Sequence, residues 1–327
     1  MNPFEYTRAS SVNAAIQALS GRAKFLAGGT NLIDLMKNGV ETPDHLVDIN
    51  RAPLAAIEPL PDGGLRLGAL ARNSDTANHP QVRQHYPLLS QAILAGASPQ
   101  LRNLATNGGN LLQRTRCPYF MDTGFVQCNK RHPASGCGAL DGFNRMHAIF
   151  GASDKCIAVH PSDMCIALAA LDATVRVQGR DGERRIAFAD FHRLPGNTPE
   201  IDTNLKPGEL IVSIDLPPNP YAAHSHYQKV RDRLSYEFAL VSVAAALDLD
   251  GDSIRSARIA LGGVAHKPWR ALAAERSLNS RKLTRDSLQS AARQAVEGAK
   301  AYKGNAFKIQ LAQSTVFRAL SVAGGVA

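Results

Sequence analysis

Leu26-Ala27-Gly28-Gly29-Thr30-Asn31-Leu32 is the stretch on which the fold of this chain turns. Before it, Lys24-Phe25-Leu26-Ala27 is a short apolar run of strand character. After it, Thr30 opens a helix over 31–37, which Gly39 ends. Two glycines at a strand-to-helix junction let main-chain N–H groups come close to a ligand, because glycine carries no side chain and tolerates positive φ. The helix N-terminus that follows favours an anion, and a phosphate suits the arrangement. An ordinary turn would carry the same residues, and the stretch is neither G-x-G-x-x-G nor a Walker A sequence.

Working outward, Ser10 or Ser11 caps a helix that runs to Leu19, and His45-Leu46-Val47-Asp48-Ile49 is the next strand. Residues 1–52 therefore read as a small α/β unit. A strand pair follows at 54–60 and 65–70 across Pro61-Asp62-Gly63-Gly64, then a helix at 87–95. A second glycine pair, Thr106-Asn107-Gly108-Gly109-Asn110-Leu111, offers the same close backbone approach. Residues 113–155 then show little periodicity and many Gly, Pro, Asn and Arg residues. A structureless loop of this length is unusual in a compact domain, so something other than an apolar core is expected to hold it. Regular structure resumes with a strand-like run at Cys156-Ile157-Ala158-Val159, a helix at 164–171, and strands at 174–178 and 209–216. Pro217-Pro218-Asn219-Pro220 reads as a linker. Beyond it come three strand-like runs, 225–230, 238–249 and 254–264, and three helices, 268–276, 284–299 and 306–322.

The 327 residues are 44% hydrophobic and 20% charged, the balance of a soluble globular protein of two or three domains. No apolar run reaches the length of a membrane span, and no membrane insertion is expected. The N-terminus, Met1-Asn2-Pro3-Phe4-Glu5-Tyr6, lacks the basic start and apolar core of a signal peptide. The five cysteines are an odd number, which excludes complete internal disulfide pairing, and all lie between Cys117 and Cys165. The net charge of +9 is concentrated in two places. Residues 113–155 hold six Lys/Arg against three Asp/Glu, and 270–308 hold nine against three. The first excess would offset an anionic centre. The second marks a helical face suited to an acidic partner.

The two glycine-pair loops, in this order, resemble those of the FAD-binding subunits of the molybdenum hydroxylases, the family of xanthine dehydrogenase, carbon monoxide dehydrogenase and aldehyde oxidoreductases. The resemblance extends to Pro161-Ser162-Asp163 before a helix that ends in Ala167-Leu168-Ala169-Ala170-Leu171-Asp172-Ala173. It reaches Leu261-Gly262-Gly263-Val264-Ala265-His266-Lys267-Pro268-Trp269-Arg270 near the C-terminus, and so covers nearly the whole chain. It implies an α+β fold: a two-subdomain FAD-binding domain of the vanillyl-alcohol-oxidase-like (PCMH) type, then a small α+β domain with a three-stranded sheet and helices. The implied bounds are 1–52, 53–220 with an insertion at about 113–156, and 221–327. It also implies that both loops line the FAD pyrophosphate, making Leu26, Ala27, Gly28, Gly29, Thr30, Asn31, Leu32, Thr106, Gly108, Gly109, Asn110 and Leu111 cofactor-binding candidates. Ser162 and Asp163 would lie near the cofactor, although Ser and Asp after Pro equally cap a helix. Lys229, with Arg231, falls where the family places a residue near the isoalloxazine; read from residue type alone, this is a solvated strand edge.

The long interval between the second loop and Pro161 carries Cys117, Cys128, Cys137 and Cys156, separated by ten, eight and eighteen residues. Thiolates are soft ligands suited to zinc or iron–sulfur clusters, and no C-x-x-C knuckle points to zinc. Within the family, the insertion is similar to those of the flavin subunits of 4-hydroxybenzoyl-CoA reductase and periplasmic aldehyde oxidoreductase. That likeness implies a [4Fe-4S] cluster on these four cysteines. Cys165, inside an apolar helix, reads as core. His132 and His147 are alternative ligands by position but read as solvent-facing, since four thiolates complete a cluster, and His160 reads as structural.

The resemblance thus implies an electron-transfer oxidoreductase subunit holding FAD and a [4Fe-4S] cluster. A partner subunit with the molybdenum cofactor would oxidise an aldehyde, a [2Fe-2S] subunit would complete a heterotrimer, and an external acceptor would receive the electrons. No catalytic acid–base pair or nucleophile is visible in this chain. Export to the periplasm with a signal-bearing partner is the implied location, with the cytoplasm as the alternative. Two other readings remain: a zinc-stabilised basic module that grips nucleic acid, and a self-sufficient NAD(P)H-linked flavin oxidoreductase. The loop has no zinc-finger spacing, its aromatic residues form no stacking series, and no dinucleotide fingerprint is present.

Overall fold

The Ser11 hydroxyl accepts from the Ala14 amide at 3.1 Å and starts the helix Val12–Ala18. In the computed structural model, which describes residues 1–326, this helix follows strand β1 (Glu5–Arg8). β2 (Lys24–Leu26) and β3 (His45–Asp48) complete a parallel sheet in the order β1-β3-β2. β1 escapes prediction because its four residues are all exposed and lack apolar alternation; pairing with β3 alone makes it a strand. β2 ends at Leu26, and the glycine pair carries the chain into the helix Leu32–Lys37.

The second sheet contains β4 (Ile57–Pro59), β5 (Leu65–Gly68), β6 (Thr174–Gly179), β7 (Gly182–Ala187) and β8 (Leu210–Leu216). All its pairings are antiparallel, in the order β4-β5-β8-β6-β7. β7 was not anticipated, since Ile186 is its only buried residue. The helices Pro87–Ala95 and Asp163–Ala170 pack together in the adjoining core, which holds Leu88, Leu89, Met164, Ile166, Val175 and Ile214. Every residue of Asp163–Ala170 is buried, because the helix also packs on the C-terminal sheet. This explains its apolar character all round.

That C-terminal sheet is built on three long antiparallel strands, β9 (Ser225–Val230), β10 (Val241–Asp250) and β11 (Ser253–Gly262). Two short strands, β12 (Trp269–Arg270) and β13 (Arg281–Lys282), each pair with β11 and widen it to five. The helix expected from 268 begins only at Leu272, because Trp269 and Arg270 are drawn into the sheet. The helices Leu272–Leu278, Arg285–Gln294 and Phe307–Gly324 cover the sheet. A reciprocal capping box between Thr284 and Ser287 starts the second of them.

The 113–155 segment contains one helical turn, Pro118–Met121, and an isolated pairing of Cys128 with Cys137. The run at Cys156 is extended but forms no ladder beyond a bridge to Ser153. The expectation of a segment without a core is corrected. Phe120 is fully buried with Leu35 and Cys128, and Ile149 and Phe150 enter the C-terminal core. Its positive charges also pair with acids: Arg114 with Glu41 and Asp202, Arg116 with Asp34, Lys130 with Asp202, Arg145 with Asp232, and Lys155 with Asp154. The basic excess of the segment is therefore used largely to fasten it to the body. Among the described residues, no helix is long and apolar enough to cross a membrane.

Candidate cofactor cleft and cysteine site

A cleft of about 1380 Å³ opens between the parallel sheet and the second sheet. Ala27, Gly28, Gly29, Thr30, Asn31 and Leu32 line it, whereas Leu26 does not. The amides of residues 28–32 donate to no acceptor among the described residues. Asn31 Nδ2 is also buried without a partner, while its Oδ1 accepts from the Arg114 amide at 3.1 Å. Five unpaired amides in half-buried residues that line a cleft can serve as an anion-binding nest, and the buried Asn31 Nδ2 without a partner is costly unless a ligand meets it. Gly29 has φ +70°, and a Cβ on Gly28 would stand 2.0 Å from the Leu104 carbonyl oxygen. Glycine is needed here for the left-handed turn and for packing the first loop against the approach to the second.

Thr106, Gly108, Gly109 and Leu111 line the same cleft, and Asn110 does not. The second loop works differently from the first. The Asn107 and Gly108 amides donate to the Ala71 and Ala69 carbonyls, and the Asn110 amide to that of Thr106. The Gly109 amide is capped by Thr106 Oγ1 at 3.2 Å. Its amides are thus occupied, and it offers surface and side chains to the cleft. Asn110 Oδ1 accepts from Ser162 Oγ at 2.6 Å and from Gln113 Nε2 at 2.8 Å.

Ser162 and Asp163 border a smaller cavity of about 250 Å³, which also touches Cys117, His147 and Phe238. His160 lines both spaces. Ser162 Oγ caps its helix by accepting from the Cys165 amide at 3.1 Å. Asp163 accepts from Lys229 Nζ at 2.8 Å and from Tyr227 Oη at 2.7 Å. Lys229 borders neither space. Its side chain is 5% exposed, which corrects the solvated-edge reading. Lys229 and Arg231 both donate to the Ala95 carbonyl, at the C-terminal end of the helix Pro87–Ala95.

Nothing in sequence marks His192, and His266 lies in the quoted 261–270 stretch without a role of its own; the fold brings both beside His160 at the cleft wall. His192 Nε2 donates to the Leu111 carbonyl at 2.8 Å, and His266 Nδ1 donates to that of Arg193 at 2.8 Å. One ring nitrogen of each histidine is buried without a partner: His160 Nε2, His192 Nδ1 and His266 Nε2. Burial pushes His160 well below the ordinary histidine range, and His192 and His266 down to about 4, so all three are neutral near pH 7. One ring nitrogen each of His160 and His192 lies within 4.8 Å of Cys165 Sγ. Asp202, another lining residue, ties the cleft to the cysteine segment. Burial would raise its carboxyl, but Lys130 and Arg114 outweigh that and hold it well below the carboxylate range.

No cysteine is in a disulfide. Cys156 lies near enough to Cys117, Cys128 and Cys137 for a charge on one sulfur to act on another. Burial pushes the Cys117 thiol up to about 12 and Cys156 up to about 11. Among the described residues, no three of these four sulfurs lie within 4.8 Å of one another. A single zinc ion, with Zn–S near 2.3 Å, would hold thiolates only about 3.8 Å apart. Cys165, fully buried among apolar neighbours, is core as expected. His132 is exposed, but His147 is not: its ring is buried, with Nε2 3.2 Å from Cys117 Sγ.

Residues 2–219 match the family described as FAD binding domain in molybdopterin dehydrogenase. Residues 225–323 match the CO dehydrogenase flavoprotein C-terminal domain. The chain is 53% identical to the aldehyde oxidoreductase FAD-binding subunit PaoB of Escherichia coli K12, over 99% of each chain. It is 30% identical to the glyceraldehyde dehydrogenase medium chain of Sulfolobus acidocaldarius, over 86% of this chain and 83% of that one. Among solved structures, it is similar to carbon monoxide dehydrogenase from Hydrogenophaga pseudoflava, with a TM-score of 0.77 and 28% identity, over 100% of this chain and 99% of that one.

Proposed function

From the premise that the chain belongs to the molybdenum hydroxylase family, as an FAD-binding oxidoreductase subunit, we propose that it is the flavin and iron–sulfur subunit of a molybdenum-dependent aldehyde oxidoreductase. The five unpaired amides of residues 28–32 carry the cofactor part of this reading. They would hold the FAD pyrophosphate through the main chain. Thr106, Gly109 and Leu111 would line the opposite wall, and the free nitrogens of His160, His192 and His266 would meet polar groups of the cofactor. FAD, when bound, supplies two-electron uptake and release. The protein's part is to bind and orient it and to exclude water, and substrate hydroxylation would belong to a partner subunit.

Cys117, Cys128, Cys137 and Cys156 would hold a [4Fe-4S] cluster, which supplies one-electron transfer. The support is a set of four cysteines of one segment that the fold brings within electrostatic reach of one another, none of them in a disulfide. Lys130, within electrostatic reach of Cys156, would offset part of the negative charge of the site. The aldehyde would be oxidised in a partner subunit bearing the molybdenum cofactor, and a [2Fe-2S] subunit would complete a heterotrimer. An external acceptor would receive the electrons. The complex would be exported folded to the periplasm by a signal on a partner subunit.

The absorption spectrum, together with iron, sulfide and zinc analysis of the purified protein, tests the cofactor content. A flavin doublet over broad iron–sulfur absorbance, with four irons per chain at most, is expected. A colourless protein with stoichiometric zinc would overturn the reading. Co-purification and fractionation of tagged protein, with and without the candidate partner subunits, test assembly and location.

A further inference from the structure

We propose that His147 donates a hydrogen bond from Nε2 to the Cys117 thiolate and thereby raises the reduction potential of the iron–sulfur centre; this rests on the cluster reading above. The imidazole lies 3.2 Å from Cys117 Sγ through Nε2, within hydrogen-bonding range of sulfur. Its other nitrogen, Nδ1, is buried and has no partner. A neutral imidazole carries one N–H. With Cys117 a ligand thiolate, and so an acceptor only, the proton belongs on Nε2 and not on Nδ1, where no acceptor stands.

The main chain of His147 is held from far along the sequence. Its carbonyl accepts from Asn305 Nδ2 at 3.2 Å and from Lys308 Nζ at 2.8 Å. Its amide donates to the Asn144 carbonyl at 3.1 Å. Asn144 is in turn held by the Gly304 amide, which donates to its Oδ1 at 2.8 Å. The Tyr119 ring stands beside the imidazole, with centroids 6.5 Å apart. Lys308 is fully buried and also donates to the Gly263 carbonyl. Side chains of two distant segments, Tyr119 in one and Asn305 and Lys308 in the other, thus meet at a residue whose ring lies against a thiol. Packing alone would be met by an apolar side chain; a buried imidazole with one nitrogen on sulfur has a polar purpose.

A hydrogen bond to a ligand sulfur draws negative charge from it. The reduced cluster carries one more electron than the oxidised one, so the bond stabilises the reduced form more and raises the potential. His147 touches the ligand and not the iron, and its role is to tune.

The test is an EPR-monitored redox titration of the purified full chain or complex, as wild type, His147→Phe and His147→Gln. His147→Phe is expected to keep its iron and shift the cluster midpoint downward, with the flavin midpoint unmoved. His147→Gln, whose amide can still donate, is expected to recover part of the shift. An unchanged midpoint in His147→Phe with iron retained overturns the proposal, and so does loss of iron in that variant with none lost in His147→Gln, which would make the role structural. A wild-type protein without iron would instead sink the cluster reading itself. Pulsed EPR of wild type labelled with ¹⁵N-histidine needs no variant. A weak coupling from one ring nitrogen to the reduced cluster is expected, and its absence overturns the hydrogen bond.

Discussion

Lys229 donates to Asp163 at 2.8 Å, joining strand β9 to the first turn of the helix Asp163–Ala170. Both residues were expected beside the cofactor, and the fold makes each a buried partner of the other. Lys229→Met should leave the Asp163 carboxylate with Tyr227 as its only remaining side-chain donor. Removing one member of a buried pair costs about 3–5 kcal/mol, because the other charge stays desolvated. Urea denaturation should show that loss, and Lys229→Met combined with Asp163→Asn should recover part of it.

Gly28→Ala would place a methyl group 2.0 Å from the Leu104 carbonyl oxygen and 2.8 Å from its carbon. Both atoms are main chain, so the two loops must separate. Overpacking of this kind costs about 1–3 kcal/mol. The larger effect should fall on the cofactor, because the amide nest would be displaced. Flavin absorbance per chain should drop steeply while the circular dichroism spectrum stays that of wild type. Full flavin occupancy would place the pyrophosphate elsewhere.

Replacing any one of Cys117, Cys128, Cys137 or Cys156 by Ser should lose iron and loosen the 113–155 segment, as read by iron analysis and limited proteolysis. Cys165→Ala should retain iron and cost about 1 kcal/mol, an ordinary change for a buried site that loses one atom. Iron retained in Cys128→Ser would show that the ligand set is wrong.

Acid should weaken the fold through its buried histidines. Burial pushes His147, His192 and His266 down to about 4, whereas in the unfolded chain they titrate near about 6.5. Between those values the unfolded state binds more protons, so stability falls as pH falls. Their contribution is complete above about pH 6.5 and lost on going down through about pH 4. Urea midpoints measured from pH 7.5 to 4.5 should decline, and His192→Phe should flatten the slope. An undiminished slope in that variant would remove His192 from the account.

The course of the chain was largely readable in advance. Strand, glycine pair and helix follow one another in 24–37 as the local pattern requires, and the helix Pro87–Ala95 has its expected bounds. Elements were missed where pairing and not burial makes them. The four exposed residues of β1 and the nearly all-polar β7 carry no apolar signal, and β12 was mistaken for the start of a helix. The histidine wall could not be read, because His160, His192 and His266 are isolated residues in three separate segments.

Local spacing settled those features that depend on neighbours in the chain: a glycine at a strand-to-helix turn, a serine that caps a helix, and four thiols in one polar segment. The tertiary structure decided what depends on distant partners. It showed that the first loop leaves its amides free while the second consumes its own. It paired Lys229 with Asp163, and it brought the His147 ring against Cys117 while Asn305 and Lys308 hold the His147 carbonyl. Whether a buried polar group is free to bind a ligand depends on every group around it, and most of those groups are far away in sequence.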